Sequence, residues 1–215
     1  MLPLGPDELL STTRAVRTRL DLSRSVDAAD IRACVDMALQ APSGSNATKA
    51  HFVVVTDTDR RRELGVIYRE CFELYKASPM YIGAIRKDSV DEQRQQERSA
   101  RSADFLAEHL GDVPAIVIAG VEGRSDGMPG VVAASLLGSV IPGMWSFMLA
   151  ARARGLGTCW TTLHLMQEER VADLLGIPYA QVQQVCLTPL AHTVGTDFRP
   201  ASRPPADTAI HWDRW

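Results

Sequence analysis

Apolar positions along this chain recur with two different periods. Ile31, Cys34/Val35 and Ala38/Leu39 repeat at helical spacing behind Asp27, a residue type suited to capping a helix start. Leu64, Tyr68, Cys71/Phe72 and Tyr75 do the same behind Asp57, on a helix expected to reach about Lys76. Phe52–Val55, Val113–Val121 and Val182–Leu190 carry almost no charge and have strand length, and Thr158–Thr162 reads as a further strand. Residues 6–18 predict a first helix that ends in the basic run Arg14–Arg19. Pro42 is expected to close the second helix, because the residue before proline avoids the helical region. Ser43-Gly44-Ser45-Asn46 is turn chemistry. Residues 86–108 are polar, with Ser89 and Glu92 at capping-box spacing; they predict an exposed helix, read either as a lid or as a plain solvated helix. Glu168–Leu175 is a short helix stopped by Gly176.

Residues 131–151 contain no charge and are just long enough to span a bilayer. Ser135, Gly138, Ser139, Pro142, Gly143 and Ser146 dilute the run, no second such segment exists, and neither flank is polybasic. The expectation is therefore a buried core or interface helix, kinked at Pro142 and ended by Gly155, not a membrane span. A helix apolar all round needs cover on every side, and a partner subunit is one such cover. Strands and helices occur without regular β-α-β alternation. That predicts an α+β fold, and the lack of repeats or linkers predicts one domain over residues 1–215.

Composition changes this picture little. Of 215 residues, 46% are hydrophobic, and 23 Lys+Arg face 26 Asp+Glu for a net charge of -3, so nothing draws the chain to nucleic acid. Local arginine clusters gain meaning for the same reason. Cys34, Cys71, Cys159 and Cys186 form no C-x-x-C pair and lie in apolar stretches, as buried reduced thiols of a cytoplasmic protein would. The start, MLPLGPDELL, has no basic run followed by an apolar one, so no secretory signal is expected there. The five His are too far apart for a metal site to be expected.

Dinucleotide-binding, P-loop, zinc-protease and hydrolase-elbow signatures are all missing. A nucleotide-like cofactor would need another phosphate clamp. Arg14, Arg17 and Arg19 offer planar bidentate donors for one; a solvated basic helix end is the other reading of the same run. The Pro42–Asn46 turn puts small side chains and backbone donors where a flat ligand could approach, or is an ordinary helix-to-strand turn. Thr161 and Thr162 carry donors for a heteroaromatic ring, though Thr pairs are common in strands.

Four segments in register resemble the FMN-dependent nitroreductase family. Thr13-Arg14-Ala15-Val16-Arg17 resembles its R-R-S-V-R opening. Ala41-Pro42-Ser43-Gly44-Ser45-Asn46, followed by Phe52-Val53-Val54-Val55, resembles A-P-S-x-x-N-x-Q-P-W-x-F-x-V-V. Gly155-Leu156-Gly157-Thr158-Cys159-Trp160 is similar to G-L-G-T-x-W, and Ser202-Arg203-Pro204-Pro205-Ala206-Asp207 lies where the family has R-R-K-P-L-D. The resemblance implies a nitroreductase-like fold, with a mixed or antiparallel sheet flanked by helices, in an intertwined homodimer whose tail from residue 193 packs on the partner. It implies FMN held by Arg14, Ala15, Arg17 and Arg203 at its phosphate and ribityl end. Pro42, Ser43, Gly44 and Asn46 would contact the ring, with Trp160, Thr161 and Thr162 along its other side. The implied activity is NAD(P)H-driven reduction of a nitroaromatic, quinone or similar small acceptor, with no catalytic side chain. FMN storage without turnover, or other flavin chemistry such as reductive dehalogenation, are the alternatives. Three departures bear on this. Thr13 and Ala15 replace Arg and Ser, the register of Arg17 against Arg19 is open, and Thr48-Lys49-Ala50 replaces Q-P-W, which opens the substrate side.

Overall fold

The computed structural model describes residues 1–47 and 49–215. At its centre lies a four-stranded sheet of β1 (Ala50–Val55), β2 (Ala115–Glu122), β3 (Leu156–Thr158) and β4 (Val182–His192), in the spatial order β1-β2-β4-β3. Every pairing between these strands is antiparallel. Parallel geometry is confined to isolated bridges such as Ala15 with Thr158.

β2 explains the layering. Its period of two sends Ile116 and Ile118 to one face and Ala115, Val117, Ala119 and Val121 to the other. The first face is covered by α3 (Thr58–Lys76), α4 (Val90–His109) and α7 (Glu168–Leu175). The second is covered by α2 (Ala28–Ala38) and α6 (Ile141–Ala153). A strand buried on both sides has no polar face to show, which is why Val113–Val121 reads as one continuous apolar run. A bulge at Val185 shifts the β2–β4 register between Ala119 and Gly120 and puts both Val185 and Cys186 into the second face.

Local chemistry sets most element ends. Asp27 accepts from the Ala29 amide at 2.8 Å, Asp57 from Arg60 at 2.9 Å and Ser89 from Glu92 at 3.2 Å, as their spacings predict. Gly155 (φ 74°) and Gly176 (φ 70°) take the left-handed conformation just past α6 and α7.

Four expectations are corrected. The first helix, α1 (Pro6–Thr12), stops well before residue 18. Thr12 and Thr13 turn their hydroxyls back to Glu8 and Leu9 carbonyls, and the Val16 amide leaves the helix ladder for the Thr158 carbonyl at 2.8 Å. Arg14–Val16 thus runs extended along β3 and Arg17–Arg19 forms a turn, so the run is not a helix end. The uncharged run forms two helices, α5 (Gly130–Gly138) and α6, separated at Ser139-Val140. Pro142 begins α6 instead of kinking it, since a first-turn proline lacks only an amide that has no helical partner. The strand expected over Thr158–Thr162 ends at Thr158, where the Cys159 amide turns to the Thr188 hydroxyl at 2.8 Å; beyond it Thr161 makes a single bridge to Leu187. α2 ends at Ala38, ahead of Pro42.

Candidate functional site

The docked arginine segment forms one half of the site. The Ala15–Thr158 bridge sets Arg14 and Arg17 beside the chain that runs on through Cys159, Trp160, Thr161 and Thr162. Arg17 donates to the Ser102 hydroxyl of α4 at 3.2 Å, and Arg14 reaches the Arg199 carbonyl of the tail at 3.4 Å. Both residues are half-buried. Among the described residues, no carboxylate lies within ion-pair distance of either. Arg19 differs: it meets Asp197 at 2.6 Å, donates to the Val194 carbonyl and stacks over the Phe198 ring. Of the two, Arg19 is paired with an acid, and Arg17 has no acid partner among the described residues.

Around this half, polar groups are dry. Burial raises the Cys159 thiol pKa, with Arg17 beside it opposing the rise. Burial likewise raises the phenol of Tyr68, whose hydroxyl meets Thr161 Oγ1 at 2.9 Å. His164 follows in the 3₁₀ turn Leu163–Gln167 and is wholly enclosed, with no hydrogen bond to either ring nitrogen. Desolvation pushes its pKa down to about 3, so it is neutral. Trp160 is half-buried and Thr162 exposed. Arg203 sits on the exposed tail.

The Pro42–Asn46 turn forms a second half. The Gly44 amide donates to Ser139 Oγ at 2.9 Å, and Ser139 Oγ in turn donates to the Ser135 carbonyl at 2.8 Å. A Cβ on Gly44 would stand 3.0 Å from Ser139 Oγ and 3.1 Å from Ser135 Oγ, so glycine is what lets the turn approach α5. Ser45 and Asn46 both hold φ near 54°, a region costly for serine. Strain of that kind gathers where backbone donors are held for a ligand. The turn lines a cleft of about 370 Å³ against α5 and a smaller one of about 250 Å³ against α2 and α6. Neither cleft includes Arg14 or Arg17. The chain thus gathers Arg14, Ala15, Arg17 and Thr161 in one place and Pro42–Asn46 in another, each with its own neighbours. Thr48 of the altered segment lies outside the described residues.

Ser102, Tyr68, Ser135 and Ser139 are contacts that sequence reasoning missed. Ser102 is 85 residues from Arg17, and no local pattern connects them. Ser135 and Ser139 have the four-residue spacing that puts both on one helix face, a signal hidden by reading them only as dilution of an apolar run.

The surroundings match known proteins at the level of fold. A BluB-like flavoprotein from Clostridium difficile 630 superposes with a TM-score of 0.70 over 98% of this chain and 100% of its own, at 15% identity. An oxidised iodotyrosine deiodinase solved with FMN and 3-iodo-L-tyrosine also gives 0.70, over 97% and 99%, at 18% identity. A protein from Desulfovibrio desulfuricans assigned as a nitroreductase and solved with FMN gives 0.67, over 99% of both chains, at 16%. No curated protein matches the chain. The sequence pattern of the nitroreductase family matches residues 10–195, nearly the whole of the folded body, and this chain is a member of the nitroreductase family.

Proposed function

We propose that this chain is an FMN-dependent oxidoreductase that takes reducing equivalents from NADH or NADPH and delivers them to a small oxidised acceptor such as a nitroaromatic or quinone. It works as a cytoplasmic homodimer. The observation that carries this reading is the pair Arg14 and Arg17, half-buried beside β3 with no acid among the described residues within ion-pair distance. Two guanidinium groups so placed are suited to a phosphate monoester, with Arg203 of the tail as a third donor.

The donor set fits FMN. The Gly44 cradle and the left-handed Ser45 and Asn46 present a small, backbone-rich surface to a flat ring. Trp160, Thr161 and Thr162 supply an aromatic edge and hydroxyl groups at the other half. FMN supplies the hydride chemistry when bound, so no nucleophile or triad is required of the protein. The chain's own work is binding, orientation and exclusion of water: Arg14 and Arg17 hold charge, Ser102 fixes Arg17, and Tyr68 fixes Thr161.

The two halves need each other, and a dimer supplies a way to join them. Ile141 and Trp145 of α6 stand 42% and 40% exposed, an uncovered apolar surface outside the cleft against α5. A second copy covers this surface and brings its Pro42–Asn46 turn to the first copy's arginines. The visible spectrum of the purified protein tests the whole reading. A yellow protein bleached by NAD(P)H within a turnover time is expected. A protein that stays colourless with added FMN overturns it, and flavin that bleaches far more slowly than any turnover points to storage.

A further inference from the structure

The cleft between the turn and α5 has one apolar wall, made by Val121, Val131, Val132 and Leu136, and one charged residue, Lys49. Its volume of about 370 Å³ is that of a small-molecule site. The Lys49 backbone is fixed where β1 begins, its carbonyl accepting from the Glu122 amide at 3.0 Å. The neighbouring acid is taken: the Glu122 carboxylate meets His51 Nε2 at 2.9 Å. Among the described residues no carboxylate lies within 4.0 Å of the Lys49 ammonium. Lys49 and Ala50 also stand where the resemblance has proline and tryptophan, so a cation has been gained and a large ring lost at one spot.

We propose that this cleft receives the organic acceptor, and that Lys49 selects acceptors carrying an anionic group, such as a carboxylate, on an apolar or aromatic body. The valines and Leu136 remove the body from water, which supplies affinity without direction. The lone ammonium supplies direction, since no acid among the described residues lies within ion-pair distance of it. The inference rests on the flavin reading above, because it takes the Ser43–Asn46 turn as the ring end of the site.

The test compares 4-nitrobenzoate with its neutral partner, 4-nitrobenzyl alcohol, by calorimetric titration of the FMN-loaded full chain. Lys49→Gln is expected to raise the Kd of the benzoate about fivefold and to leave that of the alcohol within about twofold, as suits a solvent-exposed charge pair. Lys49→Arg should retain the preference, and salt at about 1 M should erase it in the parent chain. Equal weakening of both probes, or of neither, overturns the proposal. So does Lys49→Gln that loses FMN itself as strongly as the benzoate, for then the ammonium serves the cofactor. The same pair of probes is titrated if the protein takes up no FMN. A charge preference there sinks only the flavin reading; FMN uptake without a charge preference sinks only the role of Lys49.

Discussion

Arg124 and Arg17 are both partly sheltered arginines, and they are held in opposite ways. Arg124 sits in the loop after β2 and is saturated. It pairs with Glu168 at 2.8 Å and Asp126 at 2.6 Å, donates to the Tyr179 carbonyl at 2.9 Å and stacks 4.2 Å from the Tyr179 ring centroid. Glu168 also accepts from the Gln184 amide, so one guanidinium ties together the loop before α5, the start of α7 and the start of β4. Arg17 has one neutral hydroxyl from α4 and a thiol beside it, and no acid partner among the described residues. A cation whose donors are taken by acids and carbonyls of its own chain holds a fold together. A cation left with donors to spare, at the edge of water, has capacity for an anion from outside. The difference predicts which arginine serves the fold and which is free to serve an incoming anion.

The largest effect tests the structural side. Arg124→Ala strands the mostly buried Glu168 carboxylate, only 13% exposed, and should cost about 3 kcal/mol in urea unfolding. FMN affinity at temperatures where the variant stays folded should not change. Arg17→Ala should do the reverse, weakening FMN binding by about 1.5–3 kcal/mol in flavin-fluorescence titration with little loss of stability. Arg203→Ala should lose a similar amount of FMN affinity. If it does not, the tail does not reach the phosphate. If Arg124→Ala lost flavin and Arg17→Ala lost stability, the division between paired and unpaired arginines would be wrong.

How much of this was legible in the chain follows from how local each cause is. Asp27, Asp57 and Ser89 cap helices through bonds to residues two or three positions on, and they read correctly. The family was legible because the segments that signal it within residues 10–195 are short strings. Arg14–Arg19 misread as a helix end because its conformation is decided by Thr158, on a strand far along the chain. The uncharged run 131–151 misread as one kinked helix because hydropathy cannot register a break at Ser139-Val140 between segments that are both uncharged and apolar. Nor does it distinguish α5, uncovered in one chain, from α6, whose Phe147 and Met144 are wholly enclosed. Ser102 was invisible because nothing near it in sequence refers to Arg17.

His164 marks a third fate for a basic side chain: buried without any partner, it gives up its charge. Its ordinary pKa of 6.5 is held in the unfolded chain and falls to about 3 in the fold. Between those values the unfolded state binds a proton that the native state does not, so stability is full above pH 6.5 and is lost as pH falls. From pH 6.5 to 5 the loss should be about 2 kcal/mol, and His164→Phe should remove that part of the slope in urea titrations at the two pH values. An unchanged slope would mean that water reaches the imidazole.

Arg19→Ala is the smallest expected change and the sharpest test of register. Arg19 belongs with Arg124 by partner and with Arg17 by position. Its acid, Asp197, is 90% exposed, so the ion pair itself contributes little. The Phe198 ring that Arg19 covers at 4.3 Å is also faced by Arg152 at 4.8 Å, and Arg152 further donates to the Thr196 carbonyl, so the tail keeps a second anchor when Arg19 is lost. A Tm shift of about 2 °C or less and FMN affinity within about twofold of the parent are expected. Loss of FMN equal to that of Arg17→Ala would place the phosphate two residues further along. It would also mean that Asp197 releases Arg19 when the ligand arrives, and pairing in the free chain would then no longer mark an arginine as structural.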